Sequence, residues 1–175
     1  MKQNITSAMA LIGLVFVSAP ALAERLEDIQ PGAFRASGKI VRAPGKPVEN
    51  LYCKLEASRT DGGRFSIGGR CATSMSSGSV TMDFAVVTPG ERYRLDVELA
   101  GNSLPGTDPN SHFDGAGKEG GAVFRSTAPL TVEGQTYDAE LTIAVIDGKP
   151  VRMWQTVTPT GGGERTTVLD LAVKP

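Results

Sequence analysis

The sequence predicts an all-β fold, an antiparallel up-and-down barrel of about eight or nine short strands. Three observations carry this expectation. Apolar and polar residues alternate with a period of two in one short segment after another. Glycine, proline and aspartate clusters punctuate those segments, and glycine, at 21 of 175 residues, exceeds the usual share of about 7%. The 2 cysteines stand on either side of one such turn.

Taken in order, the chain opens with MKQNITSAMALIGLVFVSAPALA. Lys2 precedes an apolar run from Ala8 to Val17, about ten residues long, where a membrane-spanning helix needs roughly 20. The run ends in Ala21-Leu22-Ala23, small residues of the kind that mark a cleavage site, so residues 1–23 are expected to be a secretory signal peptide. The mature protein is then a single domain placed in the periplasm or beyond, with no transmembrane segment. Residues 24–32 (ERLEDIQPG) form an amino-terminal arm ahead of the barrel of residues 33–175, either loose or folded as a short helix that plugs the barrel. The charges of Glu24, Arg25, Glu27 and Asp28 favour the exposed arm.

Residues 33–42 (AFRASGKIVR) form the first predicted strand, closed by APGKP. In LYCKLEASRTDGGRFSIGGRCATS, Cys53, Leu55 and Ala57 alternate with polar residues, and Phe65, Ile67 and Cys71 do so after the turn. Asp61-Gly62-Gly63 is hairpin chemistry, because glycine takes positive φ without a steric penalty. Folding about Gly62 places Ala57 opposite Ile67, Leu55 opposite Gly69 and Cys53 opposite Cys71. Directly opposed residues of a non-hydrogen-bonded pair approach to about 4.5 Å between Cα atoms, which suits a disulfide. In the chain-entropy model a loop of this size is worth about 3 kcal/mol. In an exported protein the disulfide is preferred to free or metal-bound thiols.

Strands follow at 78–87, with Val80, Met82, Phe84 and Val86 on one face, and at 92–100, with Tyr93, Leu95, Val97 and Leu99 inward. A long polar, glycine-rich connection is expected at 101–121. Further strands cover AVFRSTAPLTV, QTYDAELTIAVI, VRMWQTVT and RTTVLDLAV, separated by short turns. Consecutive short turns make neighbours pair in order, and closure removes exposed edges.

The layout GKI…CKLEA…GRFSIGGRC…SSG followed by a meander resembles the small calycin, or lipocalin-like, periplasmic β-barrels exported by proteobacteria. The resemblance implies a lipocalin-like barrel with one disulfide pinning two early strands, and it brings no catalytic residue with it.

Charge and motifs narrow the function classes. With 18 basic against 19 acidic residues and no basic cluster, a nucleic-acid partner is not expected. The single histidine, His112, leaves no two-histidine metal site within the chain. No Gly-x-Ser-x-Gly elbow or phosphate-binding loop is present, and Ser66 lies mid-strand among polar side chains. No enzymatic activity, cofactor or metal is therefore expected. Two sets of residues are candidates for binding. Asp108, Asn110, His112 and Asp114 alternate ahead of Gly115 in the long connection, with Phe113 as an anchor that folds it over a barrel end; a plain binding loop is preferred there to a calcium loop, which would need a closing glutamate. Trp154 is expected on the outer face beside Arg152, with Val151, Met153 and Val157 inward. The expected function is a non-catalytic binding or envelope-associated module that holds a small apolar ligand or docks to an envelope protein. The alternative is a secreted-protease inhibitor acting through residues 24–32.

Overall fold

The computed structural model describes residues 24–60, 62–101 and 110–174; the proposed signal peptide, Asp61 and Asp108 lie outside the described residues. A 3₁₀ turn at Leu26–Asp28 precedes eleven strands: β1 Gly32–Val41, β2 Val48–Thr60, β3 Arg64–Ala72, β4 Ser77–Thr88, β5 Arg92–Gly101, β6 Asn110–Lys118, β7 Gly121–Ser126, β8 Leu130–Val132, β9 Gln135–Ile146, β10 Lys149–Pro159 and β11 Thr166–Lys174. All pair antiparallel. Ten of them close a barrel in the order β1-β2-β3-β4-β5-β6-β7-β9-β10-β11, with β11 returning to β1, while β8 pairs with β9 outside the ring.

The hairpin of β2 and β3 has the register that its sequence demands. Cys53 opposes Cys71, Leu55 opposes Gly69 and Ala57 opposes Ile67. The cysteines form a disulfide with their Cα atoms 4.1 Å apart, and both are buried on the inner face. The alternation in β4 and β5 also sorts as expected. Met82, Phe84, Tyr93 and Leu95 are buried, and Arg92, Arg94, Asp96 and Glu98 face solvent.

Four expectations need correction. The barrel has ten strands where eight or nine were expected, because 110–118 is strand β6 and not part of a loop. Its inward positions are Ser111, Phe113, Gly115 and Gly117, and with Phe113 the one large apolar residue among them the alternation does not show as hydrophobicity. The two glycines have a packing reason: a Cβ on Gly115 would stand 2.5 Å from the ring of Phe124, and one on Gly117 would stand 2.0 Å from the Gly90 carbonyl oxygen. The segment 122–132 is two strands, since Ala128-Pro129 interrupts it and proline cannot donate to the ladder. At the break, the Ser126 hydroxyl accepts the Ala139 N–H at 3.0 Å in place of a strand carbonyl. Val151 is half-buried instead of inward, because a bulge between Pro150 and Arg152 shifts the register and turns Pro150 to the core.

The amino-terminal arm is the fourth correction. Leu26 and Ile29 are 0% and 2% exposed, and the arm stops one end of the barrel. The period of charges at Glu24, Arg25, Glu27 and Asp28 suggested solvent, yet those groups find partners at the rim. The Gln30 N–H donates to Gly148 O at 2.8 Å, and the Asp147 N–H donates to Glu24 Oε1 at 2.6 Å. The Arg59 guanidinium donates to the carbonyls of Glu27 and Ile29, and the Tyr93 hydroxyl donates to Glu27. Burial, followed by that carboxylate, pushes the Tyr93 phenol well above its ordinary range.

Above this stopper the interior is filled by aromatic rings. Phe65 and Phe84 stack with centroids 4.5 Å apart, and Phe124 meets Phe84 edge-on at 5.7 Å. The closed end of the barrel is thus a packed core, and the remaining space lies towards the opposite end.

Candidate functional site

A cavity of about 100 Å³ occupies the half of the barrel remote from the 3₁₀ turn. Its wall is built from the inward positions of nearly every barrel strand. Leu51 and Leu55 come from β2, Met82 from β4, Phe113 from β6, Leu141 from β9 and Met153 from β10, and the disulfide sulfurs of Cys53 and Cys71 join them. The period of two in each strand points these side chains to one side, and barrel closure makes that side an interior. Ten strands enclose a wider bore than eight. The aromatic rings fill it at one end, while aliphatic residues leave it unfilled at the other.

The mouth is framed by residues 41–44 of the β1–β2 turn and by Val132 of β8. Arg42, one-third exposed, carries the wall out to solvent. Its Nε donates to Glu49 Oε1 at 2.5 Å, and its Nη2 donates to Ser76 Oγ at 3.0 Å. The Arg42 hydrogen bond, with a second from Thr73, holds the Glu49 carboxyl below the usual carboxylate range; the same pairing raises Arg42. The guanidinium is therefore already neutralised by a partner within the fold.

Besides Arg42 at the mouth and Tyr137, whose hydroxyl donates to Gln135, two polar side chains stand in this apolar wall. Ser111 of β6 is 3% exposed and Gln155 of β10 is 9% exposed. Gln155 Nε2 is buried with no hydrogen-bond partner among the described residues. Neither residue stands out in the sequence as a candidate for binding. Gln155 was visible as the one polar residue between Met153 and Val157 at inward spacing, which was the available signal.

The residues singled out from the sequence fall elsewhere, with one exception. Phe113, expected to anchor a loop, lies on the inner face of β6 and lines the cavity. Asn110, His112 and Asp114 point outward from the same strand, because the alternate positions of a strand share a face. His112 Nδ1 meets Asp96 Oδ1 at 2.5 Å, and both side chains are 67% exposed, which describes a surface pair on neighbouring strands. The structure thus does not gather these residues into a loop. Trp154 is half-buried on the outer face. Arg152 and Lys118 stand 5.2 and 5.1 Å from its ring centroid, and it lies across from Thr142, which is buried although it faces outward. Cation–π contacts and this cover over a neighbouring strand account for its position. Among the described residues no group of three or more His, Cys, Asp or Glu side chains is placed to hold a metal ion, and no helix is long and apolar enough to cross a membrane.

Comparison with protein-family models, with curated proteins and with solved structures finds no match to this chain.

Proposed function

We propose that this protein is a non-catalytic binding barrel of the periplasm that holds one small, slender apolar molecule in the open half of its interior. The observation that carries this reading is the asymmetry of the interior: a packed aromatic core and a stopper at one end, and an apolar cavity reaching a polar mouth at the other. An engineered apolar cavity of about 150 Å³ binds benzene, so about 100 Å³ suits a thin alkyl chain or a small ring better than a sterol. Export is supported by the leader pattern of residues 1–23 and by the disulfide, which suits an oxidising compartment. The protease-inhibitor reading requires residues 24–32 to enter another protein's cleft, and the burial of Leu26 and Ile29 supports the cavity in preference to the arm.

The test is native mass spectrometry of protein prepared from the periplasm without detergent, with solvent extraction of any adduct and a parallel thermal-shift screen of small apolar compounds. A single apolar adduct, or stabilisation that Leu141→Trp abolishes by filling the cavity, is the expected result. A bare polypeptide mass together with no stabilisation by any compound would overturn the reading. A chain mass beginning at Glu24 is expected if the leader is removed.

A further inference from the structure

The carboxamide of Gln155 has apolar neighbours in every direction along the sheet. Across the ladder it pairs with Leu141 of β9 and Leu169 of β11, and the flanking inward residues of its own strand are Met153 and Val157. All of these line the cavity with it. Its Nε2 is more than nine-tenths buried and makes no hydrogen bond within the described fold. An orphaned buried amide donor is left with its desolvation uncompensated, and a leucine at this position would fit the pattern of its neighbours. Gln155 lines the apolar cavity, so what fills that space is the partner within reach of the unpaired donor.

We infer that Gln155 is a specificity-determining residue, and that the molecule held in the barrel is an apolar compound bearing a neutral carbonyl group, such as a ketone or an ester, whose oxygen accepts a hydrogen bond from Gln155 Nε2. The inference rests on the binding-barrel reading above. A carboxylate is the poorer fit, because burying a charge requires a counter-charge. The cation at the cavity wall, Arg42, is already bound by Glu49 at 2.5 Å. A plain hydrocarbon is the poorer fit too, because it leaves the amide donor unpaired.

The test uses an isosteric pair small enough for the cavity, 2-butanone and 2-methyl-1-butene, which differ by C=O against C=CH₂. Affinities are measured by titration calorimetry against the wild-type protein, Gln155→Leu and Gln155→Met, with the ¹⁵N side-chain amide resonances of Gln155 followed in the wild type. The ratio of ketone to alkene affinity is expected to be about fivefold to tenfold higher in the wild type than in either variant, as one hydrogen bond implies. The Gln155 amide protons are expected to shift with the ketone and not with the alkene. Equal ratios in wild type and variants, as when the amide is satisfied by trapped water only, would overturn the role of Gln155 and leave the binding barrel standing. If neither probe binds the wild type, the inference falls, while the binding-barrel reading stands or falls on the mass spectrometry and the compound screen above. Two variants guard against a folding defect in one.

Discussion

Gly115 shows how a single side chain, or the lack of one, sets the internal shape of this barrel. One of its α-hydrogens faces the ring of Phe124, where a methyl would stand 2.5 Å from Cε1 and 2.6 Å from Cδ1, and 3.2 Å from Tyr93 Cβ. Phe124 is 0% exposed and is held edge-on against Phe84, with Tyr93 on another side, so it has no space into which to retreat. Gly115→Ala is therefore expected to destabilise the protein by about 2 kcal/mol, an overpacking cost, and to lower the melting temperature by about 6 °C. Thermal unfolding followed by near-ultraviolet circular dichroism measures this; an unchanged midpoint would mean that the aromatic cluster yields. Gln155 has the opposite character. There the residue is larger in polarity than its site requires, and the excess is available to a ligand.

At the scale of elements, the seam of β10, β11 and β1 joins the two ends of the chain. Asp170 on β11 lies opposite Lys39 on β1 and Trp154 on β10, and Arg152 reaches it with two hydrogen bonds of 2.9 and 2.8 Å. Those bonds are the main cause that holds the Asp170 carboxyl below the ordinary aspartate range, with the charges of Arg152 and then Lys39 adding to it. A carboxyl depressed in the folded state contributes stability above its unfolded value, near pH 3.9, and loses it as pH falls through the folded value. Asp170→Asn is thus expected to flatten the loss of stability below about pH 4, and to cost only about 0.5 kcal/mol at pH 7 because both side chains are largely exposed. Urea midpoints between pH 2 and pH 7 measure it, and parallel acid limbs in the two proteins would refute it. The 3₁₀ turn acts at a different seam. It binds the rims of β2, β5 and the β9–β10 turn together, so the closed end depends on a segment that belongs to no strand.

At the scale of the whole molecule, closure depends on pairs as remote as Arg35 with Lys174, whereas most other neighbours are joined by short turns. Such a non-local pairing comes late and is slow to form. Ending the chain before Arg165 removes β11 and leaves β1 and β10 with open edges, so the truncated protein is expected to lose its cooperative unfolding transition and to associate. Size-exclusion chromatography with denaturant titration checks this; a cooperative transition at an unchanged elution volume would show that β10 and β1 re-pair directly. Much of this architecture was legible in the sequence. A period of two is a property of neighbouring residues, so the faces of β4 and β5 and the register of the disulfide hairpin about Gly62 follow from local order alone. β6 was not legible, because two of its inward positions are glycines, kept bare by the ring of Phe124 and by the Gly90 carbonyl. The buried arm was missed for a related reason: the carboxylates of Glu24 and Glu27 accept from the Asp147 N–H and the Tyr93 hydroxyl, and its backbone bonds Arg59 and Gly148, none of them near it in sequence. The sequence by itself determined that the chain forms alternating antiparallel strands pinned by Cys53–Cys71. Only the tertiary structure decided that ten of them close, which end is stopped, and that Gln155 faces a cavity, because space inside a barrel is set by side chains meeting from strands far apart in the chain.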